Sequence, residues 1–190
     1  MKSFVAVIIA CLSLTPAARA EPVALLVGDS QAGGLTQEFK SVAKSAGYKP
    51  RVDARGGTMT SQWPGWLKAD LQQYKPDVVI VVLGTNDAAS DPGMIRERSA
   101  VYGKIVSMIT DSGAKIGWIS MPKLHPRIKN VAYVRCKIEE VTPIYFDSSA
   151  IDIEMSKDKV HATAGGYKKW MDEAWMWFES KGVVSYCGIP

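Results

Sequence analysis

Residues 78–82 read Val-Val-Ile-Val-Val, and no polar side chain interrupts the run at either alternating position. Because successive side chains of a strand point to opposite faces, a strand made of these residues must be buried on both. It belongs in the middle of a sheet with helices above and below, which is the layout of an open parallel α/β domain.

The rest of the chain follows the same plan. Short apolar runs at residues 23–27, 50–54, 77–83, 115–120 and 143–147 each close on Gly, Ser, Asp or Pro and read as five strands. Between and after them lie stretches of helical period at residues 35–46, 66–74, 94–112, 131–141 and 163–181, stopped by Gly47, Pro76, Gly113, Pro143 and Gly182. In the last stretch Trp170, Ala174, Trp177 and Phe178 fall on one face. The alternation gives a three-layer α/β/α domain around a five-stranded parallel sheet, with no repeat or linker to divide it.

Ahead of the first strand stands the pattern of an export signal: Lys2, an apolar run over residues 4–12, then Ala18-Arg19-Ala20 as a small-x-small cleavage site. Residues 1–20 are expected to be removed, leaving one domain over residues 21–190 in a secreted or periplasmic setting. The apolar stretch is too short for a hydrocarbon layer of ~30 Å, so no stable membrane insertion is expected after cleavage. Loss of Lys2 and Arg19 lowers the formal net charge from +4 to +2, and the charges read as dispersed, which argues against a nucleic-acid partner. Cys11 leaves with the signal. Cys136 and Cys187 remain, and in an oxidising compartment they are expected to pair, closing a loop of roughly 50 residues worth about 4 kcal/mol.

In an open parallel sheet, ligands bind beyond the carboxyl ends of the strands, so the residues just after each apolar run are the informative ones. The first run is followed by Gly28-Asp29-Ser30, the second by Gly56-Gly57-Thr58 and the third by Gly84-Thr85-Asn86-Asp87; beyond the fifth comes Asp158-Lys159-Val160-His161. At average residue frequencies the ordered set Gly-Asp-Ser, Gly-x-Asn-Asp and a late Asp-x-x-His arises by chance on the order of 10⁻⁴.

This set resembles the SGNH hydrolases, also called the GDSL family, whose four blocks centre on a Ser, a Gly, an Asn and a His in that order. The likeness runs through the whole mature chain. It implies the flavodoxin-like SGNH hydrolase fold and a serine esterase in which Ser30, Asp158 and His161 are catalytic. The chemistry of each block agrees. A Ser hydroxyl is a poor nucleophile until an adjacent base takes its proton, which His161 would do, while Asp158 fixes the imidazole tautomer and stabilises the imidazolium. In the resembled family the oxyanion is met by the Ser amide, a Gly amide and an Asn side chain, which correspond to Ser30, to Gly56 or Gly57, and to Asn86. Gln31 stands where the family name implies Leu.

Each block also has a bland reading. Asp29 or Ser30 can cap the helix that follows, and Asp87 can bond backbone amides of the oxyanion loop. Trp63 and Trp66 lie beyond the glycine doublet and are candidates for stacking on a sugar, against ordinary core packing. His125, the other histidine, is a candidate substrate contact near the cleft. Two histidines and one expected disulfide leave no zinc set, and Gly28-x-Ser30 lacks the second glycine of a dinucleotide fingerprint, so no metal or cofactor is expected. The reading is a secreted or periplasmic esterase acting through an acyl-enzyme on a small-molecule or glycan ester, with carbohydrate O-acetyl groups foremost. Alternatives are an acyltransferase with the same triad, a lysophospholipase-like or thioesterase-like activity, and a glycan-binding module without turnover.

Overall fold

The computed structural model describes residues 21–185; the expected signal segment, Cys11 and Cys187 lie outside the described residues. Five strands, β1 (Val23–Gly28), β2 (Lys49–Ala54), β3 (Val78–Val82), β4 (Lys115–Ile119) and β5 (Tyr145–Phe146), form one sheet in the order β2-β1-β3-β4-β5. Every neighbouring pair is parallel. This is the flavodoxin-like order, whose switch point, and hence ligand crevice, lies between β1 and β3.

Among the described residues seven α-helices surround the sheet: α1 (Ser30–Ser45), α2 (Trp63–Tyr74), α3 (Thr85–Ala88), α4 (Pro92–Arg98), α5 (Ala100–Asp111), α6 (Val131–Glu139) and α7 (Ala164–Ser180). The alternation within β1 and β3 sorts the core into two layers. Ala24, Leu26, Val78, Ile80 and Val82 pack with Leu35, Phe39, Trp170 and Phe178 of α1 and α7. Leu25, Val27, Val79 and Val81 pack with Leu67, Ile105, Ile109 and Ile138 of α2, α5 and α6. All five residues of β3 are buried, as a mid-sheet strand requires.

The elements differ from the sequence expectations where local chemistry overrides periodicity. Helix α1 starts five residues earlier than the apolar period suggests, because Asp29 caps it by accepting from the Gln31 amide. The single helix expected over residues 94–112 is two. Ser99 bonds its hydroxyl back to the Arg96 carbonyl at 2.9 Å and separates α4 from α5. Strand β5 is short because Pro143 lacks an N–H and Asp147 turns to cap a 3₁₀ turn, accepting from Ser149 N at 2.9 Å. Cys136 is exposed on α6, with its Sγ 3.3 Å from Glu140 Oε1.

On the α2 side of edge strand β2, the Arg55 guanidinium forks onto Asp53 and lies over the Trp66 ring, 4.2 Å from its centroid. Behind it sits Asp70, 7% exposed, whose Oδ2 has no hydrogen-bond partner among the described residues. Burial, then the charge of Asp53 and a hydrogen bond with it, raise the Asp70 carboxyl from 3.8 to about 6. The folded chain therefore keeps this proton to about pH 6, while the unfolded chain gives it up near 3.8. Stability from this group is fullest below the unfolded value and falls as pH rises through that window. Asp70→Asn, which removes the charge and keeps the shape, is expected to raise the thermal midpoint by a few degrees at pH 7–8 and by much less near pH 4. Thermal unfolding at both pH values checks it; an equal gain at each would assign the effect to packing.

Candidate active site

The sharp turn from β1 into α1 sets the first side chain. A Cβ on Gly28 would strike the Val82 carbonyl and Ala32, so only glycine lets α1 leave β1 this close to β3. Asp29 follows, fully buried, with its amide on the Val82 carbonyl at 3.1 Å and its Oδ1 on the Gln31 amide at 2.9 Å. Ser30 is then the first residue of α1, half-buried, and its amide is one of those that helix geometry leaves without an intrahelical acceptor. The bland and chemical readings of Gly-Asp-Ser are thus both realised, on different residues: Asp29 caps, and Ser30 faces the crevice.

The imidazole comes from the far end of the chain. Residues Met155 and Ala162 form an antiparallel bridge, Ser156 N donates to His161 O at 2.8 Å, and Lys159 takes a left-handed φ of 51° to close the loop. Asp158 holds this loop from within. Its Oδ1 accepts from Ser156 Oγ at 2.7 Å, Val160 N at 2.8 Å and His161 N at 2.9 Å, while its Oδ2 lies 2.7 Å from His161 Nδ1. The hydrogen bond from the His161 ring, then the two backbone amides and the Ser156 hydroxyl, hold the Asp158 carboxyl far below the ordinary carboxylate range. An ionised carboxylate only accepts, so Nδ1 carries the ring proton and the Nε2 lone pair points outward. Nε2 is 2.9 Å from Ser30 Oγ. Three side chains named from the sequence thus lie in one hydrogen-bonded line.

Gln31 fastens this arrangement. It is 1% exposed, donates from Nε2 to the Val160 carbonyl at 2.6 Å and accepts from Tyr167 Oη at 3.1 Å. The departure from Leu at this position therefore ties the start of α1 to the histidine loop and to α7. Sequence reading noted the departure and missed its use, because both partners are more than a hundred residues away.

The glycine doublet resolves into two roles. Thr58 N and Thr58 Oγ1 both bond the Arg55 carbonyl, at 3.4 and 2.7 Å, which makes residues 55–58 a tight turn with Gly57 at φ 76°. Such a turn needs a residue free to adopt positive φ at its third position. Gly56 is the one beside the serine, since a Cβ built on it would lie 3.9 Å from Ser30 Cβ. Helix α3 places Asn86, whose Nδ2 donates to the Thr58 carbonyl at 3.0 Å and more weakly to Asp29 Oδ2 at 3.4 Å. Asp87 is buried and accepts from both the amide and hydroxyl of Thr60, at 3.1 and 2.9 Å, holding the loop against α3 as its bland reading expects. Burial pushes the Asp29 carboxyl up to about 7, against the lowering effect of the Gln31 amide.

The two tryptophans require correction. Trp63 is 0% exposed, and its indole N–H donates to Thr58 Oγ1 at 3.0 Å, so it supports the glycine turn from the core and meets no sugar. Trp66 is half-buried and edge-on to Trp63, with Arg55 stacked over one face of its ring. Trp63 belongs to the core and Trp66 packs against it, both in the first turn of α2. His125 sits near the histidine loop, its amide on the Lys159 carbonyl at 2.8 Å, and its Nδ1 accepts from Arg127 N at 3.1 Å. Its ring makes no hydrogen bond with Ser30, His161 or Asp158 among the described residues.

The comparisons with known proteins agree with this layout. A family model described as "GDSL-like Lipase/Acylhydrolase family" matches residues 26–169. No curated protein sequence matches the chain. Among solved structures, the lipase/acylhydrolase from Enterococcus faecalis is 19% identical with a TM-score of 0.64, over 88% of this chain and 100% of that one. The family 3 carbohydrate esterase from Clostridium thermocellum is 17% identical, TM-score 0.64, over 86% and 98%. An acetyl xylan esterase is 14% identical, TM-score 0.67, over 81% and 98%. At these identities the structures testify to shared fold.

Proposed function

Since the chain belongs to the GDSL-like lipase/acylhydrolase family, we propose that it is an exported serine esterase that removes short acyl groups, with O-acetyl groups on carbohydrate as the substrate class. The observation that carries the reading is the 2.9 Å contact of Ser30 Oγ with His161 Nε2, backed by Asp158 at 2.7 Å. Ser30 Oγ attacks the acyl carbon while its proton passes to Nε2. The carbonyl oxygen becomes an oxyanion, met by the amides of Ser30 and Gly56 and by the Asn86 N–H now held loosely by Asp29. Collapse expels the alcohol, which takes the proton from His161. Water, deprotonated by the same imidazole, then releases the acid and restores Ser30.

Short acyl length is supported by the surroundings. The large apolar side chains that stay exposed, Met94, Tyr133, Val141 and Met176, belong to none of the segments that carry Ser30, Gly56, Asn86 or His161. A long chain would need such a surface to leave water. Neighbours of the same fold include the acetyl xylan esterase and the family 3 carbohydrate esterase, which agrees with a carbohydrate substrate.

Export is supported by the signal pattern of residues 1–20, and cleavage before Glu21 is compatible with the sheet, since β1 starts at Val23 and the Pro22 carbonyl accepts from Lys49 N at 2.7 Å. A panel of p-nitrophenyl esters from acetyl to palmitoyl, run on the chain that begins at Glu21, is expected to give kcat/KM highest at acetyl or butyryl and lower by about 100-fold at the long end. A maximum at long chains would replace the acetylesterase reading with a lipase one.

A further inference from the structure

Between Asp111 and Glu139 the chain carries Lys115, Lys123, Arg127, Lys129, Arg135 and Lys137 and not one acidic residue. The charge that reads as dispersed over the whole sequence is therefore uneven, and the fold gathers it. Residues 121–130 form the loop after β4, and this loop is tied on both sides of the crevice. His125 N donates to the Lys159 carbonyl at 2.8 Å, joining it to the histidine loop. Asn130 Nδ2 donates to the Ser90 carbonyl at 2.8 Å, joining it to the segment just past α3, which carries Asn86. Lys157 and Lys159 flank Asp158 on the other side of the first tie.

Lys123, Arg127, Lys129, Lys157 and Lys159 are all exposed, and none is in an ion pair among the described residues. The nearest acids, Asp158 and Asp91, turn their oxygens to neutral donors of their own segments and form no ion pair with these cations among the described residues. Asp158 carries its hydrogen bonds to the histidine loop, and Asp91 caps α4 through Gly93 N at 2.7 Å. Arg127, Lys129 and Asn130 also line a surface hollow of about 300 Å³ with Ala88, Ala89, Ser90, Asp91 and Pro92, beside the Asn86 helix, so two cations face one carboxylate there. On the opposite rim, by contrast, Arg55 is neutralised by Asp53 at 2.7 Å. One side of the crevice thus carries a row of five exposed cations against the carboxylates of Asp91 and Asp158, an excess of positive charge, whereas Arg55 is paired.

We propose that this row binds the negatively charged backbone of the substrate, so that the enzyme acts on O-acetyl groups of an acidic polysaccharide. The inference rests on the esterase reading above and adds the charge of the polymer. An extended row fits a chain with repeated anionic groups better than a single small anion, and ammonium and guanidinium groups both pair with carboxylates. A lysolipid is a poorer fit, because no exposed large apolar residue stands among these segments. Uncompensated charge beside a reactive site raises the rate of encounter with an oppositely charged substrate by 10-fold or more, and salt removes the gain.

The test compares an acetylated polyuronate with neutral acetylated xylan at equal acetyl content. The wild-type chain is expected to favour the polyuronate by about 10-fold in kcat/KM at about 20 mM salt and to lose most of that preference by about 200 mM. In the triple variant Lys123→Glu, Arg127→Glu, Lys129→Glu, the ratio of the two rates should fall to about one or below. An acetylated glycan with phosphodiesters in place of uronates tells the two anionic sources apart, and preference for either supports the proposal. Ser30→Ala, which cannot turn over, should still be retarded by unacetylated polyuronate in affinity electrophoresis. Equal rates on charged and neutral glycans, a salt-independent ratio, an unchanged ratio in the triple variant, or equal retardation by double-stranded DNA overturns it. Hydrolysis of p-nitrophenyl acetate by the wild type, lost in Ser30→Ala, shows separately whether the esterase reading holds.

Discussion

His161→Ala is expected to lower kcat on p-nitrophenyl acetate by about 10⁴-fold or more with little change in KM, and Ser30→Ala by a similar factor. The geometry explains the size. The hydroxyl, imidazole and carboxylate lie in one line through contacts of 2.9 and 2.7 Å, and each group does its work only through the next. Removing the imidazole leaves Ser30 with its proton and the leaving alcohol with no donor. Because the groups act as a unit, the double variant should be scarcely worse than either single one. His125→Ala is the contrast: its ring accepts from the Arg127 amide within its own loop, and its loss should cost less than about 10-fold. Steady-state kinetics on the four proteins decides the matter. Activity of His161→Ala within 10-fold of wild type, or multiplying losses in the double variant, would dismantle the triad.

Asn86→Ala is expected to cost about 10² to 10³ in kcat, close to 3 or 4 kcal/mol, again with KM nearly constant. Its amide is positioned by the Thr58 carbonyl at 3.0 Å, while its other contact, to Asp29 Oδ2 at 3.4 Å, is long enough to yield to a stronger acceptor. An oxyanion is such an acceptor and a ground-state carbonyl is not, so the effect should fall on turnover and spare binding. Asn86→Asp keeps the shape and replaces the donor by an acceptor, and it should restore nothing. Recovery by Asp, or a loss confined to KM, would mean that residue 86 serves the loop and not the transition state.

The side chains of the proposed triad were legible because the chemistry asked of them fixes both residue type and chain position: a strand end, a Ser, and a late Asp-x-x-His. The sheet was legible for a related reason, since β-branched runs buried on both faces leave few alternatives. What escaped reading depends on partners far away in sequence. Trp63, beside Pro64 and Gly65, reads equally as a stacking surface or as core packing in sequence, and only its place on α2 puts it in the core. Helix α3 is four residues long, too short to show a period, yet it sets Asn86. The doublet Gly56-Gly57 separates only when the turn assigns positive φ to the second residue. Ser99 divides a continuous helical period by a hydroxyl bond that periodicity does not register.

The serine and the histidine stand 131 positions apart, and the clasp made by Gln31 closes only on the histidine loop and the final helix. A nascent polypeptide leaving the ribosome therefore displays its hydroxyl long before the His161 imidazole exists to meet it. Until the last helix seats, the protein is chemically quiescent. On the proposal that the chain is exported, such an order of assembly would spare the esters it passes during its own birth.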